Sequence, residues 1–159
     1  MPCRLLLRSI AIAFVSLAFA ACGGGKKEET GPTNNGGTTA DSKSLYDRLG
    51  GKDAITAVVD DFIANVAADA RINSFFANTD IPKLKGLLVD QICEASGGPC
   101  KYTGKSMKES HTGMKVKEEH FAAFIEDLTA TLDKFKVPER EKAEVLAAFN
   151  SMKTDVVEP

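Results

Sequence analysis

Tryptophan is absent from this chain of 159 residues, and histidine occurs only twice. No segment alternates apolar and polar residues with a period of two, which argues against β-strands. The 20 basic residues are balanced by 22 acidic ones and form no basic patch, so we expect no nucleic-acid partner. One histidine, His111, lies among charged and small residues in the segment MKESHTGM. The role of His111 can be inferred only from the rest of the sequence.

The first 21 residues lack acidic side chains and are predicted to be a secretion signal. Two arginines form a positive start, and an apolar run leads to small residues before Cys22. The sequence FAAC resembles the lipobox of bacterial lipoproteins, in which cleavage precedes a cysteine that receives lipid. We therefore expect an exported protein anchored to a membrane through Cys22, with an ordinary signal peptide cleaved after Ala21 as the alternative. Gly23 follows, where an aspartate would indicate the inner membrane, so we expect the outer membrane, facing the periplasm.

Residues 22–43 contain no large apolar side chain and cannot form a core. They are predicted to be a flexible linker with an average reach of roughly 25 Å by random-coil scaling. Residues 44–159 remain as one domain, which is long enough to bury a single modest core.

The cysteines divide between these regions, and only Cys93 and Cys100 belong to the domain. Together with the two distant histidines they match no familiar zinc spacing. Disulfides persist in proteins outside the cytoplasm. We therefore predict an intramolecular disulfide between Cys93 and Cys100.

Apolar residues of the domain recur at three- and four-residue steps, which predicts amphipathic helices. The stripes cover residues 55–66, 84–95, 121–135 and 145–152, and a short helix carries Met107 and His111 on one face. We predict an all-α domain. Its helices are unequal in length, a glycine-rich connection leads to His111, and Phe75 and Phe76 are paired in a tight turn. An apolar pocket with one convergent imidazole is the environment that haem requires.

Several segments, in order and spacing, resemble group I truncated haemoglobins, the two-over-two variant of the globin fold. They are LYDRLGG from Leu45, VVDDF from Val58, FF at Phe75, LKG at Leu84, GGP at Gly97, YTG at Tyr102, MKESH at Met107, HF at His120 and VPE at Val137. The resemblance reaches from Leu45 to about Phe149. It implies a truncated two-over-two globin fold with one non-covalent haem b. The chain contains no CxxCH motif, so attachment of the haem through thioether bonds is not indicated.

The resemblance assigns His111 as the one protein ligand to the haem iron. His120 aligns near the start of the following helix and is expected to be a partly exposed structural residue rather than a ligand. Contacts to haem are implied for Phe76, Leu84, Lys85, Leu88, Ile92, Tyr102, Met107, Val116, Phe121 and Phe124.

The residues expected beside the bound gas depart from the family pattern. Relatives place a tyrosine on the second helix and a glutamine on the distal helix, where this chain has Ile63 and the pair Leu87 and Leu88. Gln91 lies one turn further along and is not expected to reach the iron. We therefore expect an apolar distal pocket without the polar groups on which oxidative haem chemistry relies.

Three functions are compatible with these features. The first is a tethered haemoprotein, not an enzyme, that reversibly binds a diatomic gas (oxygen, or NO or CO) for carriage, storage or sensing outside the cytoplasm. The second is a haem enzyme that detoxifies nitric oxide or peroxide, with an electron donor that the sequence does not identify. The third is a haem-free helical interaction module.

Overall fold

The structure is a computed structural model that describes residues 43–158. The predicted signal peptide, the lipidation of Cys22 and all of the linker but its last residue lie outside the described residues. Within the described part, no helix is both long and apolar enough to cross a membrane.

Helices account for all the regular structure between residues 43 and 158, which confirms the all-α prediction. A 3₁₀ turn lies at Asn73–Phe76. The helices are α1 (Leu45–Arg48), α2 (Gly51–Ala68), α3 (Ile81–Ala95), α4 (Met107–His111), α5 (Glu118–Lys134), α6 (Glu139–Ser151) and α7 (Lys153–Val156).

The helix boundaries follow from local chemistry. Ser44 caps α1, because its hydroxyl oxygen accepts a hydrogen bond from the Asp47 amide at 3.1 Å. Asp80 caps α3 in the same way through the Lys83 amide at 3.1 Å, and Pro82 occupies the first turn, where no amide proton is needed. Gly50, with φ of 94°, makes the left-handed turn between α1 and α2.

Helix α2 lies at the centre of the domain and packs against both α3 and α5, while α5 also packs against α6. The two pairs, α2 with α3 and α5 with α6, form the arrangement that the two-over-two prediction requires. Burial of each large apolar side chain contributes about 1.5–3 kcal/mol to stability. The core consists mainly of Ile55, Val59, Phe62, Ile63, Val66, Val89, Cys93, Leu128, Leu132, Val145 and Phe149.

One hydroxyl inside this core has its hydrogen bonds satisfied. Thr131 has no exposed surface, and its hydroxyl donates to the Asp127 carbonyl at 2.9 Å. The Asn65 side-chain amide donates to the same hydroxyl at 2.9 Å, which links α2 to α5. Because a buried hydroxyl without partners is costly, this pair fixes how the two helices align.

The structure contains a disulfide between Cys93 and Cys100, with the sulfur atoms 2.04 Å apart. It joins the last turn of α3 to the segment that leads towards α4. Gly98 makes this possible, because a Cβ at that position would lie 2.7 Å from the Cys93 sulfur and 2.5 Å from the Tyr46 ring. The bridge therefore ties the entrance of the glycine-rich connection to the buried end of α3.

We expect the Cys93→Ala/Cys100→Ala variant to be less stable than the oxidised protein by on the order of 2–3 kcal/mol, because the closed loop is short. Urea unfolding monitored by helical circular dichroism measures the difference. Reductant should lower the wild-type midpoint and leave the variant unchanged. Reaction of both native thiols with an alkylating reagent, in protein prepared from an oxidising compartment, would contradict the disulfide.

Candidate functional site

A cavity of about 560 Å³ lies beside the core, walled by every helix from α2 to α7 and by the 3₁₀ turn. This volume falls within the range of roughly 300–1,000 Å³ that is typical of small-molecule and cofactor sites. Most of its walls are apolar. Eleven residues that were expected to bind the iron, contact haem or line the distal pocket do line this cavity, namely Ile63, Phe76, Leu84, Leu87, Leu88, Tyr102, Met107, His111, Val116, Phe121 and Phe124.

His111 reaches the cavity from the end of α4, a helix of one turn that begins with a capping box. The Ser106 hydroxyl oxygen accepts from the Glu109 amide at 3.2 Å, and the Glu109 carboxylate accepts from the Ser106 amide at 3.0 Å. The Ser106 hydroxyl also donates to that carboxylate and holds the pKa of Glu109 below its usual value. Because an isolated helix this short is unstable, these bonds help to fix the direction of its side chains.

The ring of His111 is held in one orientation by its own helix. Its Nδ1 lies 2.7 Å from the Met107 carbonyl oxygen, one turn earlier. Since a carbonyl can only accept, Nδ1 carries a proton, and in the neutral ring the lone pair is then on Nε2. This is the tautomer in which a neutral histidine binds a metal through Nε2.

The donor set determines which metal group the cavity fits. Among the described residues no group of three or more histidine, cysteine, aspartate or glutamate side chains could hold an ion. One imidazole alone is a poor site for a bare cation, but it suffices for an iron that is already ringed by a porphyrin. The Nε2 atom of His111 and the large apolar walls therefore fit haem.

Aromatic rings form the wall contributed by α5. Phe124 packs edge-on against Phe62 with ring centroids 4.9 Å apart, and it stacks with Phe121 at 6.5 Å. It also contacts Phe149 of α6 at 5.9 Å. These contacts join the cavity wall to the core.

The segment before α4 is anchored to the end of α3 near Tyr102. The Glu94 carboxylate accepts from the Lys101 ammonium and from the Tyr102 amide, both at 2.9 Å, and these bonds hold the pKa of Glu94 below its usual value. The Tyr102 hydroxyl donates to the Lys105 carbonyl at 2.7 Å, and burial raises the pKa of this tyrosine. Together with the disulfide, these bonds fix the cavity edge that Tyr102 forms.

Two expected haem contacts, Lys85 and Ile92, do not line the cavity. The Lys85 ammonium lies 2.8 Å from the Asp60 carboxylate on α2, and Ile92 packs against the core beside α6. Each residue of a helix is rotated by about 100° from its predecessor. The cavity face of α3 consists of Lys83, Leu84, Leu87, Leu88 and Gln91, and it does not include Lys85 or Ile92.

Several residues that the sequence did not assign to the site lie on its walls. Gln91 is among them, with its amide nitrogen 3.4 Å from the Met152 sulfur and 3.7 Å from the Met107 sulfur. Its spacing from Leu84 and Leu88 could have revealed it. His120 also lines the cavity, and its Nδ1 accepts from the Lys117 amide at 3.1 Å at the start of α5, a structural role. The other unassigned wall residues with functional groups include Thr79, Lys83, Lys105, Ser110 and Met114.

Residues 44–158 match the sequence profile of the Bacterial-like globin family. The group 1 truncated haemoglobin of Mycolicibacterium paratuberculosis is 35% identical over 117 residues, which are 74% of this chain and 86% of that protein. The Synechocystis group 1 truncated haemoglobin is 41% identical over 108 residues, covering 65% and 87% of the two chains. The structure of Tetrahymena pyriformis truncated haemoglobin in its Fe(III) form aligns with a TM-score of 0.70 at 35% identity, over 74% of this chain and 100% of that one.

Proposed function

Because this chain belongs to the bacterial-like globin family, we propose that it reversibly binds a diatomic gas, oxygen first, at the iron of a haem held by His111. The observation that carries the proposal is the geometry of His111, whose Nδ1 is bound to the Met107 carbonyl while its ring lines an apolar cavity. Haem is the cofactor of this family, and the cavity fits it in volume, polarity and donor set. The task is carriage, storage or sensing of the gas outside the cytoplasm.

Different residues of the cavity would bind different parts of the haem. His111 would supply the nitrogen that binds the iron, and the side chains of Phe76, Phe121 and Val116 would exclude water from the haem. Lys83 and Lys105 offer positive charge for the two porphyrin carboxylates. When bound, haem supplies an iron with one coordination position open to a gas.

The apolar wall formed by Ile63, Leu84 and Leu88 favours gas binding over oxidative turnover. None of these side chains can donate a hydrogen bond or a proton, which peroxide cleavage and nitric oxide oxidation require near the iron. Gln91 is a polar residue on the same helix as Leu84 and Leu88, and its two sulfur neighbours are weak acceptors.

Absorption spectroscopy of the purified protein tests this function. We expect about one haem per chain, a ferrous spectrum of a five-coordinate iron, and reversible changes when oxygen or carbon monoxide is added and removed. A protein that takes up no haem would be a helical interaction module instead. Sustained consumption of nitric oxide or peroxide with a reductant would favour the enzyme.

We expect export to leave Cys22 as the lipid-bearing N-terminal residue, because FAAC fits a lipobox. More than one acyl chain anchors a protein far more firmly than a single chain does. Mass spectrometry of the N-terminal peptide should find the added lipid, and the protein should fractionate with outer membranes. Cys22→Ser should release it in soluble form. An unmodified, soluble natural protein would contradict the anchor.

A further inference from the structure

The chain that leaves the His111 helix is held by the C-terminal segment. After α4 the backbone passes through Gly113, with φ of 84°, and Lys115, with φ of 57°, before α5 begins. A non-glycine residue at positive φ is unusual and persists where surrounding contacts impose it. Those contacts come from residues 153–158, here called the C-terminal strap.

Glu158 makes the bonds at the far end of the strap. Its carboxylate accepts from the backbone amides of Gly113 and of Lys115, the latter at 3.2 Å. Its own amide donates to the Val116 carbonyl at 2.8 Å. Three of the five residues that follow His111 are therefore bonded to this one glutamate.

The near end of the strap is fixed to α5, and its middle forms part of the cavity. The Lys153 ammonium pairs with the Glu118 carboxylate and lies 6.0 Å from the centre of the Phe121 ring. Helix α7 packs against α4, and Val156 lines the cavity together with Met152, the residue just before the strap. The strap thus closes the wall that carries His111.

We propose that Glu158 is a positioning residue for His111, a role that rests on the proposed haem function. Helix α4 has only one turn, and beyond it the Thr112 amide donates to the Lys108 carbonyl, so the direction of this short helix also depends on how the residues after His111 are held. The carboxylate satisfies the amides of two left-handed residues and keeps Met114 and Val116 against the cavity. Charge-assisted bonds to backbone amides are among the stronger hydrogen bonds. Their loss frees the segment after His111 and weakens the hold on haem.

The chain offers a matched control in Asp155. It lies on the same strap and carries the same charge, and its side chain is exposed. Replacing it therefore removes a negative charge from α7 without removing the bonds to residues 113–116. Glu158→Gln keeps the shape of the side chain but loses the charge and one acceptor oxygen.

The test compares the wild type with Glu158→Ala, Glu158→Gln and Asp155→Ala. Haem loss from the ferric protein to excess apomyoglobin is measured by absorbance, and amide hydrogen exchange of residues 112–116 is measured in each apoprotein. We expect Glu158→Ala to lose haem about tenfold faster, because it removes two charge-assisted bonds, and to exchange these amides faster. Glu158→Gln should fall in between, and Asp155→Ala should match the wild type in both measurements.

Wild-type rates of haem loss in Glu158→Ala would overturn the proposal, whether or not its amides exchange faster. Equal effects of Asp155→Ala and Glu158→Ala would also overturn it, since they would show a general effect of charge on α7. If the wild type takes up no haem, the proposed function fails. In that case amide exchange alone tests whether Glu158 positions the segment after His111. Unchanged exchange in Glu158→Ala would refute this positioning role.

Discussion

His111→Ala is expected to abolish the Soret band of a specifically bound haem, or to replace it with the broad band of haem held only by apolar contact. The cavity has one nitrogen prepared to bind iron, because the Met107 carbonyl fixes the proton on Nδ1 and leaves the lone pair on Nε2. Apolar walls alone still attract a porphyrin, so some haem uptake is expected to remain. The diagnostic measurement is therefore the ferrous spectrum, which reports the axial ligand, rather than the amount of haem bound.

His120→Ala is the matched control, because His120 is the other histidine on the cavity wall. Its Nδ1 accepts from the Lys117 amide, so its loss should lower stability through α5 while leaving the ferrous spectrum unchanged. His111→Gly with added imidazole should recover the wild-type spectrum, since a free ring can occupy the vacated space. An unchanged ferrous spectrum in His111→Ala would exclude His111 as the ligand and make His120 the next candidate.

The sequence was sufficient for the helices and for much of the cavity because both depend on periodic apolar residues. The stripe from Ile55 to Val66 has to be buried on one side, and any arrangement that buries it makes a helix. Pro138 immediately precedes α6, as expected of a residue that cannot continue a helix. The disulfide between Cys93 and Cys100 could also be foreseen, since few alternatives existed for two cysteines so close in the chain.

What the sequence could not supply is the rotation of α3 and the course of the C-terminal segment. The resemblance implies Lys85 as a haem contact, whereas the structure places Lys83 on the cavity wall. Each helical residue is rotated by about 100° from the one before, and the sequence does not fix which of these lysines faces the cavity. The last apolar stripe reaches Met152, whereas α6 ends at Ser151 and a further short helix, α7, begins the strap at Lys153. The Glu158 carboxylate bonds to the amides of Gly113 and Lys115, which are 45 and 43 residues away along the chain, and no local pattern encodes these bonds.

We expect oxygen to dissociate quickly from the natural protein, and Ile63→Tyr/Leu88→Gln to slow its release by about ten- to a hundredfold. Both side chains line the cavity, and neither can donate a hydrogen bond to the bound gas. A hydrogen bond to a partly charged acceptor contributes roughly 1.5–3 kcal/mol, which corresponds to this range of rates. Carbon monoxide acquires less charge on binding, so its dissociation should change much less. Stopped-flow measurement of both gases separates a hydrogen bond from simple crowding, because crowding would affect the two alike.

Gln91 is the residue to test if the natural protein releases oxygen slowly. Its amide lies on the cavity wall with only the thioether sulfurs of Met107 and Met152 as hydrogen-bond partners among the described residues, so it keeps most of its capacity to donate. Slow oxygen release by the natural protein, not slowed further by the double substitution, would show that another donor already reaches the gas. Gln91→Leu would then accelerate release by about ten- to a hundredfold, which is the loss of that same bond. With an apolar pocket, Gln91→Leu instead leaves the oxygen rate unchanged, because the amide stays beside the two sulfurs and away from the gas.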